Sequence, residues 1–148
     1  MRLTWVGLAC LSGMMGCAGG GIPSRVQDGK LESVINQRPD GGSYLEAIGI
    51  GASDPALPTE IQRKALARDA AIVKAQYELL SMIKGVTLEG GVSISRAIEQ
   101  DSKLQATVMN AILGAEILKS EFTSDNGCVV TMRLPKDRLE EMMAVRFQ

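Results

Sequence analysis

Three cysteines, Cys10, Cys17 and Cys128, hold the most reactive side chains of this sequence, and no histidine occurs in its 148 residues. Without imidazole, Ser-His-Asp and Cys-His catalysis and every His-bearing zinc site are excluded. Cys17 stands in Met14-Met15-Gly16-Cys17-Ala18, a thiol preceded by a small residue. Ahead of it one positive residue, Arg2, opens an apolar run from Leu3 to Gly16. A charged start, a short apolar stretch and a small residue at the cut make an export signal. The run is too short for a bilayer span, which needs about 20 apolar residues. The chemistry expected is cleavage between Gly16 and Cys17 and lipidation of the Cys17 thiol, with the protein as substrate.

Two alternatives stand beside this. Gly7-Leu8-Ala9-Cys10 matches a lipobox more closely, because Met14 replaces the usual Leu before Cys17. Cleavage at Cys10, however, would leave an apolar segment of about 6 residues, below the roughly 7 to 15 of a signal peptide. The other alternative is an ordinary secretory signal or a short uncleaved anchor. If Cys10 is removed and Cys17 lipidated, Cys128 has no partner for an internal disulfide and reads as a small core hydrophobe.

The remaining candidates for chemistry read as structure. Glu140 and Glu141 are adjacent, and adjacent residues of a helix do not face one another, so they form no catalytic carboxylate pair. Asp125-Asn126-Gly127 is a fragment of a calcium loop without its closing Glu. Gly49-x-Gly51 follows a strand, as nucleotide-binding turns do, but Asp54 occupies the third glycine position and a helix starts only after Pro58. Close backbone packing is the better reading of that pair. No catalytic residue, metal site or cofactor is expected. The net charge is -1; loss of Arg2 leaves 15 basic against 17 acidic residues and a net charge near -2. With no block of like charge, nucleic acid is not an expected partner.

These residues divide among a signal peptide over 1–16, a lipid-anchored flexible tether over 17–42 and one domain over 43–148. Within the tether, Leu31, Val34 and Ile35 have the spacing of a single helical turn. Tyr44 to Ala52 reads as a strand with Tyr44, Glu46, Ile48 and Ile50 on one face and Leu45, Ala47, Gly49 and Gly51 on the other. Thr59 and Gln62 form a capping-box pair opening a long helix that closes at Lys84-Gly85. Its apolar stripe, Ala65, Ile72, Leu79 and Ile83 joined by Leu66, Val73 and Leu80, is expected to be buried, while its alanines permit close docking on a sheet. Val86 to Ile94 alternates as a strand, bent at Gly90-Gly91, and Arg96 to Leu113 is a second helix stopped by Gly114. Ala115 to Thr123 and Cys128 to Leu134 make a hairpin about Asn126-Gly127, with Cys128, Val130, Met132 and Leu134 facing inward. Lys136 to Arg146 is a final short helix. The fold class is α+β: a small, mainly antiparallel sheet packed against a long helix and a second helix, with a short C-terminal helix.

The stretches GIGASDPALPTEIQRKALARDAAIVKAQYELLSMIKGV and NAILGAEILKSEFTSDNGCVVTMRLP resemble the LPP-twenty lipoprotein family. The resemblance covers about Tyr44 to Leu134 and rests on Gly49-x-Gly51, Arg63, Ala67-Arg68-Asp69-Ala70-Ala71, Ile83-Lys84-Gly85-Val86 and Gly114-Ala115, following a lipobox. It implies an outer-membrane lipoprotein that binds or assembles with other envelope proteins or with copies of itself, and flagellar basal-body components are among the family's members. Ala18 lacks the aspartate that retains many lipoproteins in the inner membrane, which favours the outer membrane with the domain in the periplasm or at the cell surface. The expectation is a non-enzymatic, membrane-held structural or interaction module, flagellar in its narrower form. A periplasmic ligand carrier or carboxylate-dependent hydrolase is the alternative.

Overall fold

The computed structural model describes residues 21–32, 42–144, 146 and 147. Gly16, Cys17 and the other residues of the signal lie outside the described residues.

The architecture is α+β. In chain order it comprises β1 (Val26–Gln27), β2 (Lys30–Leu31), β3 (Tyr44–Gly51), α1 (Glu60–Gly85), α2 (Ile94–Gln100), α3 (Ser102–Leu113), β4 (Glu116–Phe122), β5 (Cys128–Pro135) and α4 (Lys136–Met143). The main sheet is antiparallel, in the order β3-β5-β4. Its register pairs Leu45 with Leu134, Ala47 with Met132, Gly49 with Val130 and Gly51 with Cys128, so the inward faces read from the alternation coincide across the two strands. β4 slips by one residue between Ile117 and Lys119.

The long helix α1 has 26 residues and opens with the reciprocal Thr59–Gln62 capping box. It lies on the sheet through Ala67, Ala71, Ala75, Leu79 and Ile83, all buried. The close approach is made possible by glycine. A Cβ on Gly49 would stand 1.9 Å from the Ala71 carbonyl oxygen, and one on Gly51 equally near that of Ala67. With helix backbone against strand backbone, only methyl-sized side chains fit between them. This geometry corrects the expected stripe: Ala65, Leu66 and Val73 are exposed and Ile72 and Leu80 only half-buried, while Leu79 and Ile83 are core.

Three further local expectations are revised. Val86 to Ile94 is a tight reversal, not a strand. The Gly91 amide donates to the Leu88 carbonyl and the Ile94 amide to Val86, with positive φ at Gly90 and Gly91 turning the chain. The second helix is two helices, broken at Asp101. Its backbone caps the end of α2, and its carboxylate accepts from the Lys103 and Leu104 amides at the start of α3. A short side chain that satisfies orphan helix-start amides is worth more as a cap than inside a continuous helix. The C-terminal helix ends at Met143, because Ala144 adopts a left-handed conformation with φ 53°.

Residues 21–32, expected as tether, form a small antiparallel hairpin, β1–β2, with Asp28 and Gly29 at its tip in positive φ. Leu31 belongs to β2, and Val34 and Ile35 of the expected helical turn lie outside the described residues. The hairpin is docked. The Ser24 hydroxyl and the Arg25 amide donate to the Glu121 carboxylate on β4, and the Ser124 amide donates to the Gly29 carbonyl.

Candidate functional site

Among the described residues that the sequence offers for chemistry, Gly51, Asp125, Gly127 and Cys128 border one cavity of about 400 Å³, but each is committed to the fold. Cys128 starts β5 on the face toward α1, free and 1% exposed. Burial raises its thiol pKa, with Arg68 only partly opposing, so it is held as the unreactive thiol. Gly49 and Gly51 are filled by the α1 backbone, which occupies the space a bound phosphate would require. Asp125 is spent within the β4–β5 turn. It accepts from the Thr123 hydroxyl, which lowers its carboxyl pKa with help from the Gly127 amide. In that turn Asn126, at φ 64°, takes the left-handed position, and the Asn126 amide donates to the Thr123 carbonyl. The hairpin is therefore a three-residue loop, Ser124 to Asn126, whose left-handed bulge residue is Asn126. Glu140 accepts the Phe147 amide at 2.8 Å, tying the chain end to α4. With Glu141, Asp137, Leu88 and Arg146 it borders a shallow depression of about 590 Å³. Among the described residues no group of three or more His, Cys, Asp or Glu is placed to hold a metal ion, and no helix is long and apolar enough to cross a membrane.

Two features are constructed more deliberately than these. The first is the clamp at Glu121. Burial works to raise its pKa, but the Ser24 hydroxyl, the Arg25 amide and Lys119 at 3.2 Å outweigh that and hold the carboxyl below its ordinary range. Two of the three donors, from Ser24 and Arg25, fix the N-terminal hairpin to the sheet edge, and Lys119 on the same strand holds the carboxylate charged. The sequence signal for it was present, since Asp28-Gly29 between Val26-Gln27 and Lys30-Leu31 is a two-residue hairpin turn. Glycine elsewhere in the segment made it read as tether.

The second feature is the outer face of α1. Leu66, Ala70, Val73 and Tyr77 follow one another at intervals of four, three and four, a line about half a helical turn from the buried Ala71 and Ala75. Leu66 is 47% exposed, Val73 64% and Tyr77 64%. Asp69 and Lys74 flank the line on opposite sides, and the six residues border one open apolar groove. Lys74 pairs with Glu78 at 2.7 Å and lies 5.2 Å from the Tyr77 ring centre.

In comparison with known proteins, the chain matches no family model, no curated protein and no solved structure.

Proposed function

We propose that this chain is an outer-membrane lipoprotein, anchored through an acylated Cys17, whose domain serves as a non-enzymatic structural or protein-binding module of the envelope. The observation that carries the binding half is the line of apolar side chains left in solvent along α1. A contiguous exposed apolar strip is the mark of a contact surface, and single scattered apolar residues are not. The anchor half rests on the Arg2, Leu3-to-Gly16 and Gly16-Cys17 pattern. The Glu121 clamp gives it a mechanical consequence, because from Cys17 to Ser24 the chain reaches at most about 25 Å. A domain on so short a leash stays at the membrane surface, where its partners are other envelope proteins or further copies of itself. Flagellar basal-body association, which the LPP-twenty resemblance suggests, is the narrower form of the proposal.

Membrane fractionation of Cys17→Ser, with mass spectrometry of the native N-terminus, tests the anchor. The expected result is a fatty-acylated Cys17 in the parent chain and release of a folded variant. Retention of the variant in membranes, or acylation at Cys10, overturns it. Loss of swimming and altered basal bodies on deletion would support the flagellar form, and intact motility with unchanged basal bodies would remove it.

A further inference from the structure

We infer that the exposed stripe of α1 is the contact surface for a second copy of this chain, with the two α1 helices packed in parallel about a two-fold axis. The Leu66, Ala70, Val73, Tyr77 series has the four-three-four spacing of alternate core positions in a coiled coil. It lies on the side of α1 away from the sheet, so a partner helix can approach without displacing the domain's own core. Ala70 supplies the small central position that allows this approach.

Charge selects both the occupant and the direction. Asp69 makes no ion pair among the described residues, and Lys74 is half-exposed on the opposite flank. In a parallel pair, side chains five residues apart on opposite flanks meet, so Asp69 faces the partner's Lys74 and the two-fold repeats that contact on the other side. An antiparallel pair with Leu66 against the partner's Tyr77 places both Asp69 carboxylates on one flank and both Lys74 ammoniums on the other. The stripe is thus complementary to itself in one orientation only.

From Leu66 to Tyr77 the stripe runs about 17 Å. That length makes an interface below the roughly 1,000 Å² of a stable dimer, sized for copies already concentrated on one membrane. This deepens the interaction-module proposal, and only the concentration argument rests on the anchor.

The test is oxidative cross-linking of full-length Leu66→Cys in cells, with Lys103→Cys on the exposed surface of α3 as control; Cys128 is buried, and the parent chain oxidised alongside sets the background from Cys10 and Cys17. Leu66→Cys should give a disulfide-linked dimer well above the control. Asp69→Lys added to it should cut the yield about five-fold, and Lys74→Asp added to both should restore it. Yields no higher than control, no rescue by the double reversal, or adducts with a protein of another mass overturn the inference. So does cross-linking seen only when Leu66→Cys is mixed with Tyr77→Cys, the signature of the antiparallel pair. Fractionating the same cells scores the anchor separately. If the chain is found unanchored, purified Cys17→Ser protein concentrated to about 1 mM should still sediment partly as dimer; a monomer there also overturns the pairing.

Discussion

Gly49→Ala is the substitution on which the packing argument is most exposed. Taken alone, replacing a glycine inside a strand should stabilise the protein by about 0.5–1 kcal/mol, because the unfolded chain loses freedom. Here the new Cβ would meet the Ala71 carbonyl oxygen at 1.9 Å and the Ala75 amide nitrogen at 2.5 Å. Both are backbone atoms in the middle of a 26-residue helix, so no side chain can swing away. To restore contact distance α1 must retreat by about 1–1.5 Å, a gap that forfeits a quarter to a half or more of the attraction between facing atoms. Ala67, Ala71, Ala75, Leu79 and Ile83 are the side chains that lose it. Burial of those five contributes on the order of 6–8 kcal/mol, so the loss is about 2–4 kcal/mol. Net of the entropic gain, Gly49→Ala should destabilise by roughly 1.5–3 kcal/mol and lower Tm by about 5–15 °C. Thermal unfolding followed by circular dichroism measures this. An unchanged or raised Tm would refute the close-contact argument, and with it the account of why α1 turns its larger side chains outward.

Glu121→Gln keeps the shape of the clamp and removes its charge, easing release of residues 21–32 by about 1–2 kcal/mol. Amide exchange at Glu32 and Ser124 should quicken about 5- to 30-fold with α1 unaffected, and equal protection in both proteins would contradict the clamp. Because the folded pKa of Glu121 lies below its ordinary value, the clamp is fully present above the unfolded pKa and is lost as pH falls through the folded one. Acid should therefore release the same amides in the parent chain, with no such pH dependence in Glu121→Gln. Asp101→Ala removes the side chain that accepts from Lys103 and Leu104 and should cost about 1 kcal/mol by denaturant titration; a loss below the error of the titration would count against the cap. Trp5 is the only tryptophan, so cleavage before Cys17 leaves a protein without tryptophan emission. Indole fluorescence from envelope-extracted protein would place the cut elsewhere or nowhere.

What could be read from the sequence, and what could not, separates along a physical line. The strand faces of β3 and β5, the capping box at Thr59 and the Asn126-Gly127 hairpin are set by residues within a few positions of one another, and alternation and turn chemistry reveal them. The break at Asp101 was hidden because residues on both sides keep helical spacing, and the N-terminal hairpin because its fixing partner, Glu121, is 97 residues from Ser24. Cys17, the one residue expected to undergo covalent chemistry, lies outside the described residues, and the expectation rests on sequence alone, since a processing site is recognised in an extended chain and needs no fold to form it.

The misplaced stripe on α1 has a different cause, and it joins the fold to the proposed function. Hydrophobicity ranks Leu66 and Val73 above alanine, so a search for the apolar side of the helix turns those residues inward. The sheet decides otherwise. Gly49 and Gly51 bring β3 so close that only Ala67, Ala71 and Ala75 fit in the gap, and a helix that presents methyl groups to its own sheet must carry larger residues elsewhere. Solvent-exposed Leu, Val and Tyr at four-three-four spacing are not needed for that packing, since polar side chains on the same face would leave it unchanged. On the proposed reading, their contribution comes from contact with something outside the domain. Replacing Leu66 and Val73 together by glutamine should accordingly leave Tm within about 2 °C of the parent, the range usual for surface changes, while abolishing dimer sedimentation of the purified Cys17→Ser protein at about 1 mM; a large loss of Tm would mean the stripe serves this chain's own fold.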